Sequence, residues 1–432
     1  MSSTALPPKK PNLFAERWKQ STFVVLENLD YRQLLTGTVI WWQCFFMEMV
    51  VMGWLVFDLS NSTRMVSLVA FCRTLPLLLV SLFSGPIIDA IGRRRVIVAA
   101  QTVNLAAYTT IGLLLWSGQA AIWNIALIAF CIGSAWALDW PTRRSLVPDL
   151  LGKERVVDGL LLESFITGIA RIIAPTMAGW LIAHYGAPGC YLVMALLASM
   201  ALTSLWPLLE HAEPRKGRVQ FNISLPLEGL RYVRTSQPIL AVLLITLILN
   251  LWIFPYISLL PTFARDVLHK GPVELGFLNT ATGIGSFLGL LTLNFLRQRV
   301  SVGLLFVGGT AWMCLALIAF ALSHSYPFSW GMLFCAGMGM ACFGTLQSTI
   351  ILMTTTDDMR SRVMSLLVLA IGGDPLGQIQ IGTLAEVVGV QGTLAGQAGA
   401  AFLIVLVIVW SLRGVLRGVL QPTDAAKQGA SG

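Results

Sequence analysis

Twelve apolar runs, separated by short polar turns, leave this chain little choice of environment. They fall at roughly 34–58, 65–88, 94–117, 120–140, 156–185, 188–209, 238–264, 272–297, 300–323, 328–352, 361–388 and 393–416. Each is close to the ~20 residues that a helix needs to cross a bilayer. Inside hydrocarbon no water satisfies a backbone N–H or C=O, so a spanning run of this kind must be helical. The expected fold is an all-α membrane protein with twelve transmembrane helices. Hydrophobic residues make up 56% of the chain and charged residues only 12%, which excludes an ordinary soluble domain.

The charges that remain are unevenly placed. If the N-terminus is cytoplasmic, the segments on that side hold 24 of the 29 Lys and Arg, and the opposite loops hold only Arg64, Arg265 and Lys270. That asymmetry follows the positive-inside rule, so the basic excess is a topology signal and does not point to nucleic acid. Both termini are therefore expected in the cytoplasm. Residues 1–33 read as a cytoplasmic N-terminal segment, without the apolar core of a signal peptide. Residues 34–209 form one six-helix bundle, 210–237 a cytoplasmic linker rich in Arg and Lys, 238–416 a second bundle and 417–432 a cytoplasmic tail.

An internal repeat supports two related halves. The fifth run ends Gly179-Trp-Leu-Ile-Ala-His-Tyr-Gly186 and the eleventh Gly382-Thr-Leu-Ala-Glu-Val-Val-Gly389. Both read Gly-x-Leu-x-x-x-x-Gly, 203 residues apart, where a six-plus-six duplication requires a match.

Between the second and third runs lies Ser84-Gly-Pro-Ile-Ile-Asp-Ala-Ile-Gly-Arg-Arg-Arg95. Its Gly85, Asp89, Gly92, Arg93 and Arg94 form a Gly-x-x-x-Asp-x-x-Gly-Arg-Arg pattern. This resembles the signature loop of the major facilitator superfamily, with Ala90 where that family often has Arg. Further stretches resemble its macrolide-efflux and enterobactin-exporter branch: Gly53-Trp-Leu-Val-Phe-Asp-Leu-Ser-Asn-Ser62, Pro141-Thr-Arg-Arg-Ser-Leu-Val-Pro148, Leu260-Pro-Thr-Phe-Ala-Arg-Asp-Val-Leu268 and Arg360-Ser-Arg-Val-Met-Ser365. The helix-5 antiporter motif is altered, with Ala170, Ala174-Pro175 and Ala178-Gly179 in place of most of its glycines. The resemblance implies two pseudo-symmetric six-helix bundles in a bacterial inner membrane, a monomer, and a basic loop that locks one conformation.

Ionisable groups at mid-membrane are costly and mark function by default. Glu48 lies mid-run among Trp41, Trp42, Phe45 and Phe46; it either binds a proton or a cationic substrate, or is neutralised by an arginine for packing alone. Arg171 lies at similar depth, and a Glu48–Arg171 pair is expected. Asp374, in Gly372-Gly-Asp-Pro-Leu-Gly377, stands opposite Arg171 in the duplication. The resemblance places it facing Arg73, either as an outer-gate bridge or as two separately paired residues. Asp139 is a further proton-coupling candidate, with a local bond to Arg143 or Arg144 as the alternative. Trp42, Phe45, Trp252 and Tyr256 are substrate-cavity candidates; lipid-facing or packed positions are the alternative.

The four histidines form no ligand pair and the cysteines no metal motif, so no metal or cofactor is expected. The absence of a phosphate loop speaks against ATP-driven transport, and no enzyme chemistry is indicated. By resemblance the chain is a secondary transporter that exports an amphipathic small molecule, drug or siderophore, against inward proton flow. An importer or a lysolipid flippase of the same fold, or a membrane sensor that has lost transport, would fit the same residues.

Overall fold

The computed structural model describes residues 22–211, 230–234 and 236–412. Most of the expected linker and the whole tail lie outside these residues, as do residues 1–21 of the N-terminal segment. The surroundings of Gly85 and the side chain of Asp89 are likewise outside the described part.

Among the described residues, twelve helices follow the twelve apolar runs, two of them joined without a loop at Gly186. In the first half these are α1 (Leu29–Ser60), α2 (Thr63–Ile91), α3 (Arg93–Trp116), α4 (Ile122–Gly152), α5 (154–185) and α6 (187–205). In the second they are α7 (Gln237–Trp252), α8 (Pro272–Leu296), α9 (Val302–Ala321), α10 (Tyr326–Thr354), α11 (Asp357–Ile371 and Asp374–Val388) and α12 (Val390–Ser411). Local chemistry sets the starts. The Asn28 side chain accepts from Tyr31 N at 3.0 Å to open α1, and Glu274 Oε2 accepts from Gly271 N at 3.1 Å to open α8.

The two glycines that close the repeat do equivalent work. Gly186 (φ 68°) breaks α5 from α6 and Gly389 (φ 81°) breaks α11 from α12. Both adopt a backbone conformation that side chains disfavour. The glycines that open the repeat are points of close approach between the halves. A Cβ on Gly179 would stand 2.3 Å from Pro272 O of α8, and one on Gly382 2.4 Å from Ser67 Cβ of α2. Thus α5 packs on α8 and α11 on α2, related by the same pseudo-symmetry.

Three elements depart from the sequence expectation. Helix α4 runs a dozen residues past the expected end near 140, because Leu146 and Val147 bury against Tyr31, Leu34 and Leu35 of α1. Helix α7 is not one continuous span: after Trp252 it passes through 3₁₀ geometry at Phe254–Leu259 and a π turn at Phe263–Val267. Pro255 and Pro261 remove two N–H donors there and force the change. Helix α11 is interrupted at Gly372–Gly373, so Asp374 begins a new helical segment.

At the end of the molecule away from Arg93–Arg95, the halves are tied together. Thr63 Oγ1 meets Thr262 Oγ1 at 3.2 Å, Arg265 donates to Asp58 at 3.2 Å, and Ser62 Oγ donates to Glu386 Oε1 at 2.9 Å. Deeper in, Thr280 Oγ1 of α8 donates to Ile172 O of α5 at 2.8 Å. Toward the basic end the contacts change character. Backbone meets backbone at Gly276 against Pro175 O and at Gly283 against Arg171 O, whereas across the seam Gly168 meets the Phe287 ring and Gly372 the end of the Leu78 side chain. The halves close at one end and diverge toward the other.

This seam gives a direct expectation. A Cβ on Gly276 would sit 2.4 Å from Pro175 O, so Gly276→Val should destabilise the fold by ~1–3 kcal/mol through overpacking. Gly331 has nothing within 4 Å of the same added atom, so Gly331→Ala should leave thermal stability unchanged or raised by about 1 kcal/mol or less. Melting of both variants in one detergent compares them directly.

Candidate functional site

Where the halves diverge, a cavity of about 290 Å³ lies between them at mid-depth. Side chains from α1, α2, α4, α5, α7, α8, α10 and α11 line it. On α1, residues Phe45, Glu48, Met49, Met52 and Val56 reach it at intervals of three and four, one face of the helix. Both interrupted helices open onto it: Phe254, Tyr256 and Ser258 come from the irregular part of α7, and Asp374 and Gln378 from the restart of α11.

The expected Glu48–Arg171 pair does not form. Glu48, fully buried, contacts Arg73 instead, with Arg73 Nη2 2.6 Å from Oε2. It is a close ion contact rather than an aligned hydrogen bond, and Glu48 Oε1 and Arg73 Nε have no hydrogen-bond partner. The guanidinium is also held over the Phe45 ring at 4.8 Å and beside Trp136 at 5.8 Å. Helix α4 fixes that geometry: Gly133 presents no side chain, and a Cβ there would stand 1.8 Å from Arg73 O. Glu48 turns into the first bundle, with Tyr108 and Tyr191 as further electrostatic neighbours.

Of the two readings of Asp374 and Arg73, the structure has the two residues separately partnered rather than bridged. Asp374 accepts from Gln378 Nε2 at 3.3 and 3.4 Å, and Gln378 Oε1 accepts from Ser258 Oγ at 2.6 Å. Arg73 interacts with Asp374 electrostatically across the gap between halves while its close contact stays with Glu48. Arg171 is left without a carboxylate. Its guanidinium lies over the Phe46 ring at 5.3 Å, its stem runs past Gly283 of α8, and Tyr256 is its electrostatic neighbour.

Asp139 takes the local alternative. Arg143 Nε donates to Asp139 Oδ1 at 2.9 Å and Arg143 Nη1 to Thr38 Oγ1 at 3.1 Å, all buried below the cavity near the basic end. Glu163 is buried beside the same arginine.

Of the aromatic candidates, Phe45 and Tyr256 line the cavity. Trp42 does not: one turn nearer the basic end, its ring stacks on Phe46 at 5.5 Å. Trp252 does not either, because the backbone turns after it and its Nε1 donates to Gln380 Oε1 at 3.1 Å. Lining residues that sequence reading passed over are Trp136, Asn250, Asn279 and Gln378. Only Gln378 carried a signal, four residues after Asp374 on a helix. In the basic loop, Arg93 pairs with Asp149 and donates to Ser145 O at 2.8 Å, and Arg94 pairs with Asp30 at 3.0 Å. All these partners belong to the first half.

Removing one member of a buried ion pair strands the other, at roughly 3–5 kcal/mol. Arg73→Met and Glu48→Gln should each lower stability by that order, and the double variant by less than the sum. Arg171→Met, which breaks no ion pair, should be milder than either. A double-mutant cycle on thermal melting reads the coupling, and additive losses would contradict the pair.

The profile of the transmembrane secretion effector family matches residues 20–427. The chain is 27% identical over 368 residues to the multidrug efflux pump Tap of Mycobacterium tuberculosis, covering 81% of this chain and 86% of that one. It is 23% identical over 346 residues to the staphyloferrin A transporter of Staphylococcus aureus, with 80% and 86% covered. Macrolide efflux protein A of Streptococcus pyogenes matches at 19% over 303 residues, with 68% and 73% covered. Among solved structures, the nucleoside transporter NupG superposes with a TM-score of 0.72 over 89% of this chain and 99% of that one, at 13% identity. A bacterial homologue of the human lysosomal transporter Spinster does so with 0.67 over 91% and 99%, at 15% identity. These superpositions bear on the fold alone.

Proposed function

The chain belongs to the transmembrane secretion effector family of the major facilitator superfamily, and from that premise we propose that it exports an amphipathic small molecule, of drug or siderophore type, coupled to inward proton flow. The observation that carries the reading is the cavity: it lies at mid-depth between two halves that are tied at one end and apart at the other, and it holds charged side chains that hydrocarbon would not tolerate.

With the basic end in the cytoplasm of a bacterial inner membrane, as the Lys and Arg distribution argues, the present arrangement is open inward. Substrate enters from the cytoplasm into a pocket walled by Phe45, Met49, Trp136 and Phe254. The halves then rock about it, parting the Thr63–Thr262 and Asp58–Arg265 contacts and closing the opposite end. The loop at Asp89–Arg94 acts as the lock on one of these states, with Arg93 and Arg94 holding α3 to α4 and α1. One protomer contains the whole pathway, so the monomer is the working unit.

Asp374 is the better proton site of the two cavity carboxylates. Glu48 is committed to Arg73 at 2.6 Å, whereas among the described residues Asp374 has only neutral groups, the Gln378 amide and the Thr74 hydroxyl, within hydrogen-bond reach. Protonation and release at Asp374, as the cavity exchanges one side for the other, would couple proton flow to rocking.

In proteoliposomes with an imposed pH gradient and a panel of drugs, siderophores and lysolipids, the wild type should move at least one compound in the direction opposite to protons. Asp374→Asn should lose gradient-driven movement and keep gradient-independent exchange. Undiminished gradient-driven transport in both Asp374→Asn and Glu48→Gln would remove proton coupling by these carboxylates. Lysolipid movement that needs no gradient would instead favour a flippase.

Alternation itself has a separate test. In a cysteine-free background, Thr63→Cys with Thr262→Cys should form an oxidative cross-link, since the two hydroxyls are 3.2 Å apart. Transport should stop on oxidation and return on reduction; a cross-linked protein that still transports would exclude opening at this end.

A further inference from the structure

The cavity has two electrical poles. Three of its charged groups cluster: Arg73 contacts Glu48 and acts on Asp374, leaving that group with one negative charge in excess when both acids are ionised. The fourth, Arg171, stands apart. Among the described residues Tyr256 is its electrostatic neighbour and it makes no ion pair. Among the described residues, the elements packed around it add no acid besides Glu48 of α1, which is committed to Arg73. Helix α8 brings Asn279 and Thr282 to the cavity wall, α7 brings Tyr256, α1 brings Phe46 and α5 itself Pro175. The hydroxyl and amide of the α8 pair donate to their own helix, Thr282 to Asn279 O at 2.6 Å and Asn279 Nδ2 to Leu275 O at 3.0 Å, and the Thr282 hydroxyl also meets Tyr256.

An arginine in an apolar cavity with no counter-ion is costly, and an anion brought in from outside would relieve that cost. The guanidinium carbon lies 5.3 Å from the centre of the Phe46 ring, a cation–π contact that leaves its N–H donors in need of an acceptor. Arginine's planar fork matches a carboxylate bidentately. Beside it, Phe46, Phe45, Trp136 and Phe254 offer aromatic surface for a flat apolar body.

We propose that Arg171 is an anion subsite of this cavity, and that the substrate is an aromatic amphiphile bearing a carboxylate, held at Arg171 with its ring among Phe46, Phe45 and Phe254. This rests on the export reading and narrows its substrate to one class. The carboxylate and the proton then occupy different poles: the ligand binds on α5, the proton at Asp374 on α11.

The test is binding by calorimetry to the full chain in lipid nanodiscs, corrected for empty discs, with three probes that share one ring: 2-naphthoate, 2-naphthamide and 2-naphthylmethylamine. The wild type should bind the acid about tenfold or more tightly than the amide, the order expected of a charge-assisted hydrogen-bond pair. Arg171→Gln should remove that preference by weakening the acid far more than the amide, whose residual binding reports an intact cavity; Arg171→Lys should keep part of it. The inference is overturned if acid and amide bind alike to the wild type, if the preference survives Arg171→Gln, or if the amine binds best. The export reading is tested apart from this. Arg171-dependent binding of 2-naphthoate with no transport of any compound would sink export and uphold the subsite, whereas export of the amine or amide without any acid preference would uphold export and sink the subsite.

Discussion

The contact between Glu48 and Arg73 sets the electrostatics of everything around it. Four ionisable groups reach one cavity inside a bilayer, where each would be expensive alone. Two of them, on neighbouring helices of the same half, satisfy each other at 2.6 Å. That choice leaves Asp374 to a neutral amide and a hydroxyl, and Arg171 to an aromatic face. Had Arg73 reached across to Asp374, the two halves would be bound by an ion pair through the middle of the pathway, and every rocking motion would have to break it. Pairing within one half keeps the strongest contact on a body that moves as a unit.

Motion instead crosses surfaces that are smooth or weakly bonded. On the α5–α8 and α2–α11 seams, glycines let backbones approach without interlocking side chains, at Gly179, Gly276 and Gly382. The polar contacts that tie the halves beyond these seams are few: Thr63–Thr262 is one neutral hydrogen bond between buried hydroxyls, and the exposed Arg265–Asp58 pair contributes only modestly where water can replace it. Close approach therefore provides fit without locking the halves, which is what a reversible gate requires.

The architecture was legible in the sequence because it depends on properties that survive averaging over many residues. Run length gives the spans, and the Gly-x-Leu-x-x-x-x-Gly repeat gives the duplication, whose closing glycines share a positive φ at Gly186 and Gly389. Asp139–Arg143 was legible for a different reason, since four residues on one helix always share a face. The cavity pairs were not. Depth in the membrane places Arg171 and Arg73 equally well beside Glu48, and the decision rests on helix rotation. Gly133 sets that rotation by letting α4 close on the backbone of Arg73, a contact 60 residues away in sequence. Trp42 and Trp252 were misplaced for the same kind of reason: one is a turn too far along α1, and the other precedes a proline-driven change of path in α7.

The duplication also explains why the cavity is polar across its width. Arg171 and Asp374 are 203 residues apart, the same offset as the repeat, so equivalent positions on α5 and α11 carry opposite charge. A symmetric scaffold has thus been made electrically asymmetric by one exchange of residue type. In the proposed cycle this separates the two binding events onto different bodies, an anion on the first half and a proton on the second. Neither ligand then needs to touch the other for their binding to be linked. Each alters the charge on one side of a gap, and Arg73, held to Glu48 yet acting on Asp374, carries the effect across it. Because the gap changes width as the halves rock, its electrostatics change with it, and that dependence is a sufficient physical basis for coupling without a continuous hydrogen-bonded path.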